Sequence, residues 1–408
     1  MNKYTPLQYI MIHVANSYGL DKLLFEERIE WVKQNGKRLM SLADSADDKA
    51  LYVRGVMELQ RIKNGQTFTN MPIGLDATAS GLQMLAIMSG CMTTASHVGL
   101  VDPNKRCDAY TACGDTMNIY LPEDKQIILS GVARDGEFTR KELKDPFMTH
   151  FYFSKAQPKK VFGDGTPELV AFYKAVMEMA PGANELMNDI YGAMRKDATE
   201  YKCTYPDNHT LFTRVMKSKQ FKIELEELKN KSGNNSTFTH QMDVNEADEF
   251  DVSLVANVTH GADGFVVREM QGRMNHNKQD MMKVLDITRG CKVTDRSSMV
   301  SVWEVEQLLR GKQDYTESQL GILAEVVESC LENPTAPMKS VHDEFKTMAP
   351  YCNQMRQYYI DICAQMSESN FIEPILRELY NNPYLQYQKV GCGNELAKAI
   401  RGSNYAIC

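Results

Sequence analysis

The stretch Ile73-Gly74-Leu75-Asp76-Ala77-Thr78-Ala79-Ser80-Gly81-Leu82-Gln83 sets a carboxylate at the end of a short apolar run and follows it with small residues. A carboxylate so placed, with neighbours small enough for close approach to the backbone, can hold a hard cation over a ligand. Loop aspartates more often cap helices. The metal reading therefore needs a second carboxylate, and cations for an anionic ligand, elsewhere in the chain. Residues 140–155 supply the cations: Arg140 and Lys144, four apart, share a helix face, and Met148 and Tyr152 extend the stripe. Two cations and a phenol on one face suit a triphosphate and its sugar, although the ordinary fate of such a face is solvation. Asp145-Pro146 also reads as an N-cap and first helical position. The helix would then begin at Pro146 and leave Arg140 and Lys144 on the preceding turn or beyond a kink. In Asn257–Arg268, His260 and Asp263 flank a small-residue turn ahead of an apolar helix, and Asp263 is expected to fix that turn. Ser340-Val341-His342-Asp343-Glu344-Phe345, a polar turn in a loop-rich setting between Pro337 and Pro350, offers Asp343 as the second carboxylate.

The elements that must position these groups follow from periodicity and punctuation. Ile73 and Leu75 predict a buried strand ending on Asp76, and Leu82, Leu85, Ala86 and Ser89 recur at helical spacing after it. Residues 1–70 read as helical: one helix stopped at Tyr18-Gly19, a second with Phe25, Ile29 and Val32 on one face, and a third over 46–62. Leu100–Asn104 is a turn, and a helix through Tyr110 and Tyr120 is closed by Pro122. A polar loop covers 131–139, helices cover 166–200, and Thr204–Asn208 is a turn. Residues 215–250 look least globular, with Lys217, Lys219 and Lys222 before a hairpin-like or mobile loop at Lys229–Ser236. An acidic patch (Asp243, Glu246, Asp248, Glu249, Asp251) follows. Helices are expected again within 298–332 and 351–380, before a short, partly apolar end.

With 408 residues, 43% hydrophobic and 24% charged, the chain has the composition of a soluble globular protein of two or three domains. No stretch approaches the ~20 apolar residues of a membrane span. The ten cysteines are scattered with no C-x-x-C pair, which suits reduced thiols and not structural zinc. A net charge of -7 argues against a surface that coats itself on nucleic acid, and leaves room for a local basic channel.

In this order and spacing the four stretches resemble the single-subunit DNA-dependent RNA polymerases of phages and mitochondria. Asp76 with Gly81-Leu82-Gln83 is similar to that family's first metal-aspartate motif, D-G-S-x-x-G-x-Q, with Ala77 in place of the glycine. Arg140, Lys144, Met148, Thr149, Tyr152 and Lys155 are similar to its nucleotide-binding helix, R-x3-K-x3-M-T-x2-Y-G-x-K. His260-x-x-Asp263-Gly264 resembles its H-x-x-D-G, and His342-Asp343-x-Phe345 its second aspartate motif, H-D-x-F-G. His13-x-Ala15-Asn16, Gly19-x-Asp21-Lys22 and Phe25-x-Glu27-Arg28 resemble the stretch before the first motif, and the last residues resemble a C-terminal foot. Departures are Phe153 for glycine after the tyrosine, Lys346 for the final glycine of the second aspartate motif, Met11 for a frequent lysine, and Pro146 within the helix.

The resemblance implies an α+β, mostly helical right-hand polymerase. Residues 1–104 would be the first part of the palm, 105–258 the fingers with a promoter-loop-like insertion near 215–250, and 259–408 the rest of the palm with the foot. The thumb and N-terminal promoter domain are expected to be absent from this chain. It would then be the larger, catalytic subunit of a split enzyme like the two-subunit RNA polymerase of Enquatrovirus-type phages, working in the cytoplasm of an infected bacterium. Implied roles are two Mg2+ ions on Asp76, the Ala77 carbonyl and Asp343, with Arg140 and Lys144 on the triphosphate of an NTP. Tyr152 and Met148 would lie at the ribose and new base pair, His260 behind the tyrosine, and His342 beside the substrate or as a structural neighbour. Implied partners are a DNA template, the RNA product, a second subunit and an accessory single-stranded-DNA-binding or promoter-opening factor, with no membrane. The alternatives are a related palm-type DNA polymerase and a non-catalytic DNA-binding subunit.

Overall fold

In a computed structural model, residues 1–129, 138–229, 232–249 and 251–408 are described. The expected loop at 131–139 lies outside them for residues 131–137, as do Asn230 and Lys231 of the expected loop at 229–236. Just over half the chain is helical, with small sheets, an α+β arrangement.

The chain opens with three helices, α1 (Pro6–Tyr18), α2 (Phe25–Asn35) and α3 (Lys49–Lys63), as the periodicity requires. The Thr5 hydroxyl accepts from the Gln8 N–H while the Gln8 side chain accepts from the Thr5 N–H, a reciprocal cap that fixes where α1 starts. Gly19, at φ 105, stops it in the left-handed conformation a side chain would resist. Val14, Val32, Tyr52 and Val56 bind the three helices into a core of their own.

Next come β1 (Pro72–Asp76), α4 (Ser80–Ser89), α5 (Met92–Ser96) and α6 (Ala109–Tyr120). Every residue of α4 is buried, so it is the central helix of the fold. Beyond the undescribed loop, α7 (Arg140–His150) begins well before Pro146, not at it. Thr139 and Glu142 form another reciprocal cap and set the start. Pro146 then sits inside the helix, buried, where it removes one backbone bond without ending the element. Arg140 and Lys144 therefore do share a helix.

Three helices follow, α8 (Ala156–Phe162), α9 (Pro167–Met179) and α10 (Pro181–Gly192). The helical expectation for 166–200 fails at its end, because Glu200 opens a hairpin of β2 (Glu200–Thr204) and β3 (Thr210–Arg214) around the expected turn. A longer ribbon follows, β4 (Met216–Lys229) paired with β5 (Asn235–Asn245), in register from Met216↔Asn245 to Leu225↔Ser236. This is the exposed segment expected over 215–250.

Helix α11 (Ser253–Met274) is continuous through His260-Gly261-Ala262-Asp263, where a turn was expected. The small residues serve packing instead. A Cβ at Gly261 would lie 2.1 Å from the Tyr205 hydroxyl, which donates to the Val258 carbonyl at 2.9 Å. Asp263 is accordingly a helical residue and fixes no turn.

The remaining elements are α12 (Lys278–Ile287), α13 (Glu304–Leu309), α14 (Glu317–Leu331), β6 (Met338–Val341), β7 (Glu344–Met348), α15 (Cys352–Glu368), α16 (Ile372–Leu379) and α17 (Gly393–Gly402). The turn at His342-Asp343 is real, but its flanks are strands, and His342 has φ 54. The antiparallel sheet runs β1-β7-β6. All ten cysteines are free thiols. Among the described residues no helix is long and apolar enough to cross a membrane.

Arg356 of α15 ties distant parts of this body together. Buried, it donates to the Asn2 carbonyl (2.9 Å), the Tyr9 hydroxyl (3.0 Å) and the Asn404 carbonyl and side-chain oxygen (both 2.7 Å), and lies over the Tyr4 and Phe25 rings. Removing it strands several buried acceptors. Arg356→Met should lower the urea midpoint, equivalent to about 3 kcal/mol; an unchanged unfolding curve would show that these bonds contribute nothing net.

Candidate active site

The β1–β7 pairing brings the two aspartate stretches together. Leu75 lies opposite Phe345 and Asp76 opposite Glu344, and the Ala77 N–H donates to the Asp343 carbonyl at 3.2 Å. The expected meeting of the two strand ends is therefore present. On the other side of β1 the Cys408 N–H donates to the Asp76 carbonyl at 3.0 Å, and Ala77 bridges Ile407. Below them Gln83 of α4, fully buried, donates to the Val98 and Ala406 carbonyls and accepts from the Tyr359 hydroxyl at 2.6 Å.

The carboxylates repel one another. Asp76 opens to solvent at a cavity mouth, yet the concave wall strips much of its hydration. This loss, then Asp343 and Glu344, push its pKa up to about 6. Asp263, one face of α11 away, is pushed up to about 7, again by lost hydration first and Asp343 second, and accepts a 3.4 Å bond from the Ser80 hydroxyl. Among the described residues neither Asp76 nor Asp343 is in an ion pair. Glu344 differs. Lys346, the departure noted in the sequence, pairs with it at 2.9 Å. Gly74 makes room for this pair, since a Cβ there would fall 2.1 Å from the Glu344 carboxylate. Lys346 thus offsets part of the charge that Glu344 adds beside Asp76.

Asp76 and Ala77 line a cavity of about 450 Å³ whose wall also carries Lys22, Arg106, Arg140 and Lys144, whereas Asp343, Tyr152, His260 and His342 lie outside its lining. Arg140 donates to both carboxylate oxygens of Asp108 through Nε (2.6 Å) and Nη2 (2.9 Å), and the guanidinium lies over the Tyr110 ring. Lys144 is exposed and, among the described residues, in no ion pair. Arg106 donates to the Thr78 hydroxyl at 2.8 Å and to the Cys107 and Asp21 carbonyls, which clamps the loop after Asp76 to the segment after α1. Sequence reasoning missed Lys22, Arg106 and Tyr110 as cavity residues. Lys22 lay within a quoted stretch, whereas a single arginine in a turn carries no signal.

Tyr152 follows α7 in a turn. Its ring packs on Gly81, where a Cβ would meet it at 3.2 Å, and tilts against His260 with centroids 4.6 Å apart. Burial, then Asp263 and Asp343, raise its hydroxyl pKa to about 12, so it stays a proton donor. His260 is held below its usual pKa by lost hydration and then by His342 nearby. His342 itself is exposed. Met148 lies on α7 between Lys144 and Tyr152, half-buried, and does not line the cavity. Phe153 adopts φ 65, a conformation that favours glycine, and is held there by stacking on Tyr191 at 4.4 Å.

Residues 3–157 match the family model of DNA-dependent RNA polymerase. That segment holds Asp76, Arg140, Lys144 and Tyr152, while His260, His342 and Asp343 lie beyond it. The chain is similar to a probable DNA-directed RNA polymerase of Neurospora crassa, 31% identical over 129 residues, covering 30% of this chain and 14% of the relative. It is similar to the mitochondrial DNA-directed RNA polymerase of Schizosaccharomyces pombe, 24% identical, covering 48% of this chain and 18% of the relative. A DNA-directed RNA polymerase of Pseudomonas phage phiKMV is 25% identical, covering 36% and 21%. These matches span about a fifth or less of each relative's length. By name the relatives are nucleotidyltransferases.

The donor set suits a divalent cation. Asp76 and Asp343 supply hard carboxylate oxygens near one sheet end, and Arg106 offsets the charge on Asp76 only in part. Among the described residues no cluster of three His, Cys, Asp or Glu could hold a metal, so further ligands would have to come from backbone, water or substrate. A carboxylate whose folded pKa is raised binds its proton more tightly when folded. The chain therefore carries the full penalty of lost hydration and of repulsion above pH 6 and sheds it as the pH falls towards 4. Asp76→Asn should raise the melting temperature in EDTA at pH 8 by about 1–3 °C, solvent screening discounting the rest, and the gain should vanish near pH 4. A variant less stable than the parent at pH 8 would show that the pair is not repulsive.

Proposed function

We propose that this chain carries the catalytic centre of a DNA-dependent RNA polymerase, which adds ribonucleoside monophosphates from NTPs to an RNA 3′ end under DNA template direction. The observation that supports it best is the β1–β7 pairing, which brings the Asp343 backbone onto Ala77, next to Asp76, whose cavity also carries Arg140 and Lys144. Two magnesium ions held by Asp76, the Ala77 carbonyl and Asp343 would supply the clamp on the attacking oxygen and leaving pyrophosphate.

The chain's own residues do the rest. Arg140, fixed by Asp108, and the unpaired Lys144 bind the triphosphate and offset charge as it develops. Tyr152, wedged between Gly81 and His260, orients the ribose and offers its hydroxyl to the 2′-OH. His342, on the turn beside Asp343 and near His260, is a structural neighbour of the tyrosine's support, and Met148 lies on the nucleotide helix. In this reading residues 1–104 and 259–408 form the palm and 105–258 the fingers, with the β4–β5 ribbon as a DNA-contacting loop. A second polypeptide supplies the thumb and N-terminal region, in the manner of the two-subunit polymerases of Enquatrovirus-type phages.

The test is extension of an RNA primer on a DNA template with magnesium and ribonucleotides. Asp343→Asn should lower the rate by on the order of 10²–10³-fold or more, with the melting curve near intact. Full activity in that variant would end the assignment. The same assay separates an RNA from a DNA polymerase. Tyr152→Phe should keep ribonucleotide addition while its preference for ribose over deoxyribose falls about tenfold or more. A parent chain that prefers deoxynucleotides would instead favour the DNA polymerase.

A further inference from the structure

On the face of α1 opposite the cavity, the first three helices leave a groove. Leu7 and Met11 share that face, one turn apart, while His13, Asn16 and Ser17 face the carboxylate cavity. The groove encloses about 770 Å³, and its floor is apolar: Leu7, Met11, Val32, Val56, Leu59 and Ile62. Its charged residues are Lys33, Lys37, Arg38 and Lys63, and no carboxylate lines it. This contrasts with a chain in which 53 acidic residues outnumber 46 basic ones. Among the described residues Lys37 and Lys63 are exposed and in no ion pair, Lys33 has only a distant contact with Glu30 at 3.9 Å, and Arg38 donates to the Asn35 amide oxygen. An apolar trough is therefore edged by cations that the chain itself leaves unneutralised.

We propose that this groove docks an amphipathic α-helix of a partner polypeptide whose apolar stripe is bordered by aspartate or glutamate. Val56 and Lys63 lie two turns apart on α3, roughly 10 Å, which matches a partner stripe of residues i, i+3, i+4 and i+7. Burying the stripe removes the floor from water, and the partner's carboxylates meet Lys33, Lys37, Arg38 and Lys63 at the rim, where complementary charge sets orientation and encounter rate. Single-stranded nucleic acid would need aromatic platforms, which the floor lacks. A bilayer would need a protruding apolar face, whereas this one is concave. The proposal rests on the preceding reading only in taking the second polypeptide as the owner of the helix.

The probe is a fluorescein-labelled, stapled helical peptide of about 15 residues, with leucine at i, i+3, i+4 and i+7 and flanking glutamates, so that folding adds no cost. A second peptide carries lysine for each glutamate. Anisotropy with the full chain at low salt should show the glutamate peptide binding at least about tenfold tighter, with the difference shrinking as salt rises. Lys37→Glu with Arg38→Glu should erase or invert that preference. Leu7→Glu, at a half-open floor position, should abolish binding of both peptides with the melting curve unchanged. Equal affinity for the two peptides, no binding, or indifference to the rim variants overturns the proposal. So does self-association, or flotation with anionic vesicles, that Leu7→Glu abolishes. Binding is read without catalysis. An inactive chain that binds the peptide counts against the polymerase reading alone, and an active chain that does not counts against the groove alone.

Discussion

The structure depends on the hydrogen-bonded register between β1 and β7. Two strands from distant parts of the chain pair so that Leu75 and Phe345 point into the core while Asp76 and Asp343 end at one edge. The side-chain period of a strand is two, so a slip of one residue would turn the apolar set outward and separate the carboxylates. The core enforces the register from below. Phe345 packs edge-on against Tyr359, whose hydroxyl is bonded to Gln83, and Gln83 in turn holds the backbone at Val98 and Ala406. Apolar burial and these bonds offset the cost of pressing two carboxylates together.

The opposite wall combines two kinds of cation. Arg140 is pre-positioned by a two-pronged bond to Asp108 and by the Tyr110 ring, so little freedom is lost when it meets an anion. Lys144, one turn on, is exposed and unpaired, and supplies a mobile charge. A reciprocal cap at Thr139 starts the helix early enough to carry both. Rigid and adaptable cations side by side suit a ligand whose charge distribution changes as it reacts.

Much of this was legible in the sequence, because the informative signals were local. Gly19 as a helix stop, the strand ending on Asp76, the helix from Ser80 and the kinship of Arg140 with Lys144 all rest on spacing within a few residues. Where the sequence misled, a distant partner decided. Gly261 and Ala262 suggested a turn, yet the helix is continuous there and Gly261 leaves room for the Tyr205 ring packed on it. The strands around His342-Asp343 gain their order by pairing with β1, which no local pattern announces. Lys346 looked like a damaged motif until Glu344 was seen beside it. Arg106 was invisible because its role lies in joining segments that only the fold makes adjacent.

The bond from Gln83 to the Ala406 carbonyl spans 323 positions, and the Cys408 backbone closes on Asp76 itself. During synthesis, therefore, α1 to α4 can collapse long before the groups that complete the carboxylate edge have emerged. A nascent chain holds Asp76 at an unfinished strand border, with one carboxylate and no neighbour to repel it. Contacts of such high sequence separation form late and slowly. The carboxylate edge is thus a late-forming part of the fold, assembled only after residues far along the chain from Asp76 have been made.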